Sequence, residues 1–177
     1  MYKRQIDDNN SYALDNFKPP IRNDRPGTIG HRSSHGQALY IKQNVSSDML
    51  KKYSTDNLEY IAVNVKKSSE AFQIVFVYKA PPCSLQQFKQ HIATIVDKID
   101  LTLPLIIAGD FNFDLFQGHP QFIQFMESTF HCKQIVNEIT TKYGTQIDLV
   151  FSNVPSLKAE VIFCPWSDHY TISVLDC

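Results

Sequence analysis

Apolar residues recur along the chain with two periods, and each period predicts its own kind of element. Seven stretches are strand-like, alternating or continuously apolar and rich in β-branched and aromatic residues. They are Gln37–Lys42 (QALYIK), Glu59–Lys66 (EYIAVNVK), Phe72–Lys79 (FQIVFVYK), Leu105–Ala108 (LIIA), Ile147–Phe151 (IDLVF), Glu160–Cys164 (EVIFC) and Thr171–Leu175 (TISVL). In the second, Tyr60 and Ala62 face one way while Ile61, Val63 and Val65 face the other. Polar Lys66–Glu70 supplies a hairpin turn, so an antiparallel ribbon is expected. A helical period follows Ser84, where Leu85, Phe88, Ile92, Ile95, Val96 and Ile99 share one face and Gln87 completes a capping-box pattern. Pro120 opens a second helix with Phe122, Ile123, Met126 and Phe130 inward. His91 lies beside the first helical stripe, and His119 and His131 flank the second helix in loops. The order strand, helix, strand from Phe72 to Ala108 predicts an α/β domain.

Residues 1–36 are polar and punctuated by Pro19, Pro20, Pro26, Gly27, Gly30 and Gly36, which reads as loop with a weak extended signal over Tyr12–Phe17. His31 and His35 have the spacing of helical metal ligands, but the glycines around them argue against a helix. With 177 residues, 43% of them hydrophobic, the chain suits one domain with a substantial core. No apolar run reaches the roughly 20 residues of a membrane span, and the first residues lack a signal-peptide core. An intracellular location is expected, the nucleus included. Cys83, Cys132, Cys164 and Cys177 are scattered without a CxxC pair, which points to free thiols. Residues 1–99 hold 14 Lys or Arg and 9 Asp or Glu, against 3 and 9 in residues 100–177, so a net charge of −1 conceals a basic and an acidic half. An acidic half suits a cation-dependent site and a basic half a polyanion, although a solvated acidic face explains the split as well.

Three stretches concentrate the polar residues that could do chemistry. In Leu103–Asp114 (LPLIIAGDFNFD) the apolar run stops at Gly109, as a strand buried on both faces ends at the lip of a sheet, and Asp110 and Asn112 follow two apart. Taken alone, a polar turn after a core strand is the better account of them. Asp148 interrupts a core strand, where a carboxylate needs a metal, a turn or an imidazole as partner. His169, just before the final strand, is the imidazole in position, and Asp168 beside it is placed to bind a cation. The plain alternative is a surface turn. Together the three stretches hold ligand, base, amide and acid, the inventory of metal-assisted phosphoryl hydrolysis.

IIAGDFNFD, TQIDLVFSN and WSDHYTISV, in this order, resemble the three C-terminal motifs of the endonuclease/exonuclease/phosphatase family, in the style of mobile-element endonuclease domains. HGQALYIK and FVYKAPP extend the likeness more weakly. The resemblance implies a four-layered α/β sandwich, two mainly antiparallel sheets face to face with helices outside. It implies Mg²⁺- or Mn²⁺-dependent phosphodiester hydrolysis of nucleic acid, DNA foremost. Asp110 would activate water or stage the leaving group, Asn112 would hold a phosphate oxygen, and Asp148 would orient His169, whose charge would stabilise the transition state. Asp168 would join the metal site and Tyr78 would contact the scissile phosphate. The family begins with a strand ending in Asn and another ending in a metal-binding Glu. Neither is found here, and Glu59 and Glu70 stand elsewhere, so the expectation is a single domain over residues 1–177 lacking its N-terminal strands. Action on a lipid or small phosphate, and an inactive fragment, are the rival expectations.

Overall fold

A computed structural model describes residues 14–24 and 36–176. The expectations for Tyr12, Pro26, Gly27, Gly30, His31, His35 and Cys177 lie outside the described residues. The elements are β1 (Ile21–Asp24), β2 (Gly36–Leu39), β3 (Ser46–Ser54), β4 (Leu58–Lys67), β5 (Glu70–Lys79), α1 (Leu85–Val96), β6 (Leu105–Asp110), α2 (Pro120–Phe130), β7 (Lys133–Gln134), β8 (Asp148–Ser152), β9 (Leu157–Ile162) and β10 (Thr171–Asp176). A 3-10 turn, Leu115–Gln117, lies between β6 and α2.

One six-stranded sheet, in the order β3-β4-β5-β6-β8-β7, organises the chain. Only β5 and β6 run parallel, because α1 carries the chain between them, while the other neighbours are antiparallel. β4 and β5 form the predicted hairpin, with Lys67 opposite Glu70 and Ser68 in the left-handed region at φ 57°. β3, absent from the predicted strands, is an edge strand with a bulge between Met49 and Lys51. An edge needs no alternating apolar face, and its lysines discourage pairing with another chain. That is why SSDMLKKYS carries no strand pattern.

Helix α1 begins as its sequence predicts: Ser84 Oγ accepts from the Gln87 N–H (3.3 Å) and Gln87 Oε1 from the Ser84 N–H (2.9 Å). Its buried face, Phe88, Ile92 and Ile95, lies with that of α2, Phe122, Met126 and Phe130, on one face of the sheet. Each fully buried side chain of this kind contributes about 1.5–3 kcal/mol. The opposite face carries two separate two-stranded ribbons, β1–β2 and β9–β10. Ile21 and Leu39 of the first pack on Ile61, Val63 and Val65. Between β10 and the sheet runs a groove of about 370 Å³ floored by Ile74, Phe76, Ile106, Ala108 and Val150, with Asp110 and Asp148 at its margin. In β6, accordingly, Leu105 and Ile107 are fully buried while Ile106 and Ala108 are half-buried. The described residues thus form three layers (helices, one sheet, ribbons) where four were expected. Both segments with a helical period return to the same face, which leaves no helix among the described residues to cover the ribbons. None of those helices is long and apolar enough to cross a membrane.

Candidate active site

The first part of the site is the corner after β6. Gly109 has φ 145°, and a Cβ there would lie 1.8 Å from the Val77 carbonyl oxygen, so only glycine lets β6 approach β5 this closely. The next residues alternate: Phe111 and Phe113 plunge into the core while Asp110 and Asn112 stay half-buried. Phe111 meets Phe88, Phe122 and Phe151 at ring distances of 5.5–6.0 Å, which anchors the corner from below. Asn112 adopts the left-handed conformation at φ 48°, which asparagine tolerates better than most residues. Its N–H donates to Asp110 Oδ1 (3.0 Å) and its Nδ2 to the Lys79 carbonyl (2.7 Å). Lys79 is itself a lock. Only 1% exposed, its ammonium donates to the carbonyls of Ala80 (3.0 Å) and Cys83 (2.9 Å) and lies 4.3 Å from the Phe113 ring centroid. Burial lowers its pKa, with Cys83 and Asp110 opposing.

The second part joins β8 to the link between β9 and β10. His169 Nδ1 lies 2.9 and 3.0 Å from the two carboxylate oxygens of Asp148. Thr140 and Thr141 fix both partners. The Thr140 hydroxyl accepts the N–H groups of Ile147 and Asp148 (3.1 Å each), and its carbonyl accepts the Tyr170 N–H (2.8 Å). Thr141 forms a β-bridge with His169. Asp114 ties this part to the corner, for its carboxylate accepts from the Gln146 N–H (3.0 Å) and caps the 3-10 turn.

Asp110, Asp148 and His169 each offer a ligand atom within 4.8 Å of the others. Crowding shows in their titration. Burial, then the charge of Asp148, pushes the Asp110 carboxyl up to about 6 against the pull of the Asn112 N–H, His169 and Lys79. For His169, burial disfavours the charged ring, but the hydrogen bond and charge of Asp148, with Asp110 and Asp168, outweigh it and raise the pKa.

A model of the endonuclease/exonuclease/phosphatase family matches residues 4–169, nearly the whole chain. The chain belongs to that family. It covers metal-dependent phosphodiester hydrolysis, and its members generally use divalent metals. No curated protein matches the chain. Among solved structures, an endonuclease/exonuclease/phosphatase family protein from Leptotrichia buccalis is similar over 92% of this chain and 73% of its own (17% identity, TM-score 0.66). The endonuclease domain of TRAS1, a telomere-specific non-LTR retrotransposon, matches over 89% and 78% (15%, TM-score 0.65). The human Nocturnin catalytic domain with bound sulfate matches over 90% and 73% (17%, TM-score 0.60). At these identities the structures establish the fold alone, an α/β arrangement rich in antiparallel strands with few helices.

Of the residues that the family resemblance singled out, Asp110, Asp148 and His169 are brought together and Asn112 is held at the corner. Tyr78 is the strand partner of Asp110, which is in turn the partner of Asp148, so all three share one face of the sheet. Asp168 is exposed and outside the ligand-atom cluster, near enough to His169 to raise its pKa. Glu59, set aside on the sequence, is the partner of Tyr78 and extends the same row across four strands, buried at 1% exposure. On the sequence alone no role falls to Lys79, Asp114 or Thr140, although the first two lie inside the FVYKAPP and IIAGDFNFD motifs. Asp114 closes the GDFNFD motif, and an aspartate standing just before a turn is the signal that could have found it.

Proposed function

We propose that this chain hydrolyses phosphodiester bonds within nucleic acid, DNA foremost, with a divalent cation. The observation that supports this best is the meeting of Asp110, Asp148 and His169, from β6, β8 and the β9–β10 link, at a sheet end. Asp148 takes the Nδ1–H of His169 and stabilises its protonated form, which leaves the other ring N–H to donate to a phosphate oxygen as charge builds there. Asp110, with a pKa of about 6, is matched to accept a proton from attacking water near neutral pH. Asn112 spends one amide hydrogen on Lys79 and keeps its second for a phosphate oxygen. Tyr78 stands in line to contact the same phosphate.

The donor set fits a hard cation. Two carboxylates near enough to raise the pKa of Asp110 repel one another, and Mg²⁺ or Mn²⁺ relieves that repulsion through oxygen ligands. Asp168 would hold it at the rim, which leaves the Asp110 carboxylate to take the proton. When bound, the cation neutralises charge on the phosphoryl oxygens. The test is nicking of supercoiled DNA with Mg²⁺ by the wild type, His169→Ala and Asp110→Ala, beside a phosphomonoester and a phospholipid. Nicking lost in both variants supports the reading. Equal activity in all three proteins rejects the site, and turnover of the small phosphates alone rejects the substrate.

A further inference from the structure

The rim of the site carries the three most exposed large apolar side chains among the described residues: Trp166 (88% exposed), Tyr143 (72%) and Phe163 (66%). They stand on two loops that meet at His169. Tyr143 lies in the turn from Thr141 to Thr145, closed by the Gly144 N–H on the Thr141 carbonyl (3.1 Å). Phe163 and Trp166 lie in the link from β9 to β10, closed by the Ser167 N–H on the Cys164 carbonyl (3.3 Å). The loops are tied by backbone, through the Thr141–His169 bridge and the Lys142 N–H on the Asp168 carbonyl (3.0 Å). Lys142 Nζ sits 5.1 Å from the Tyr143 ring centroid, and Phe163 packs edge-on against Tyr170 at 5.4 Å. Wet aromatic rings are thus held on fixed backbone within a few residues of the imidazole.

We propose that Trp166, Tyr143 and Phe163 form a stacking platform for nucleobases beside the scissile phosphate, so that the favoured substrate is a strand whose bases are unpaired there. This deepens the nucleic-acid reading above and rests on it. Every base presents a π face, so aromatic rings bind strands with little regard to sequence, and Lys142 adds a cation for the backbone. In a closed duplex the faces of each base are covered by its neighbours, and a base must be extruded before it can stack on protein. Entry of the same rings into a bilayer would carry the exposed carboxylate of Asp168 toward the apolar phase, which opposes a lipid surface as the partner.

Trp166 is the single tryptophan of the chain, so its fluorescence reports on the platform without turnover. The wild type, without divalent metal, is titrated with oligothymidylate, a strand of abasic units of equal length, a closed duplex, and phosphatidylcholine–phosphatidylserine vesicles. The platform predicts quenching by oligothymidylate and little by the abasic strand or the duplex. With Mg²⁺, Trp166→Ala and Tyr143→Ala raise KM for the unpaired strand roughly tenfold or more. In both, kcat and the abasic substrate are unaffected, and Trp166→Phe restores most of the loss. Equal quenching by the abasic strand, no response to oligothymidylate, or a blue shift with vesicles alone overturns the proposal. Base-dependent quenching by a wild type that cleaves no phosphodiester supports the platform and removes the hydrolytic reading instead.

Discussion

Replacing Asp110 by asparagine should make the metal-free protein more stable at pH 8. The carboxyl titrates at about 6 in the fold and at 3.8 when unperturbed. That gap of about 2.2, at 1.36 kcal/mol per pH unit, is worth about 3 kcal/mol. Because the folded pKa lies above the unfolded one, the folded protein binds more protons between the two values, and stability falls as pH rises from about 4 to 6. Above pH 6 the full cost is present. Partial solvent access trims the gain from Asp110→Asn to about 1–3 kcal/mol. Asparagine keeps an oxygen to accept the Asn112 N–H, so the corner loses charge without losing its hydrogen bond. The pKa of His169 is raised, so its contribution is complete below its unperturbed 6.5 and fades as pH climbs through the folded value. The wild type should therefore weaken in two steps and the variant only in the upper one. Urea denaturation in EDTA between pH 4 and 9 measures both curves. A variant less stable than wild type at pH 8, or a difference that does not change between pH 4 and 8, would refute the electrostatic reasoning.

Gly109→Ala should destabilise by about 3 kcal/mol or more, since the new Cβ would sit 1.8 Å from the Val77 oxygen at a φ that L residues avoid. Urea denaturation at pH 7 reads it, and a loss below about 1 kcal/mol would show that β6 can move away from β5. Thr140→Val leaves two N–H groups at the start of β8 without their acceptor and should cost about 1–3 kcal/mol, with a matching fall in hydrolysis as Asp148 shifts. Unchanged stability would mean that water replaces the hydroxyl. Thr140→Ser, which keeps the acceptor, should behave like wild type.

How much of this was visible in the sequence depends on whether a residue answers to its neighbours in the chain or to distant ones. β4, buried on both faces, announces itself as a nearly unbroken run of β-branched and aromatic residues, and α1 through Ser84 and Gln87. β3 stays hidden because an edge strand answers to its partner and to solvent, not to a core. The predicted strand Glu160–Cys164 in fact ends at Ile162, and its last aromatic, Phe163, stands in water. Asp148 is legible because a carboxylate in an apolar strand demands a partner, whereas Asp110 alone reads as a turn former and gains weight only beside the other two stretches. Lys79 reads as an ordinary polar residue closing a strand, since nothing local reveals that the carbonyls of Ala80 and Cys83 will surround it. Glu59 and Tyr78 become neighbours of Asp110 only through the register of three strands, which no local pattern encodes.

If Asp110, Asp148 and His169 form one hydrolytic site, Asp148 acts through His169, and the direct measurement is a double-mutant cycle on kcat with Mg²⁺ and an unpaired DNA strand. Wild type, Asp148→Asn, His169→Ala and the double variant complete the cycle. The account predicts that His169→Ala alone lowers kcat by roughly 10²–10⁴ and that adding Asp148→Asn lowers it no further. Losses that multiply, or a His169→Ala variant as active as wild type, would contradict it.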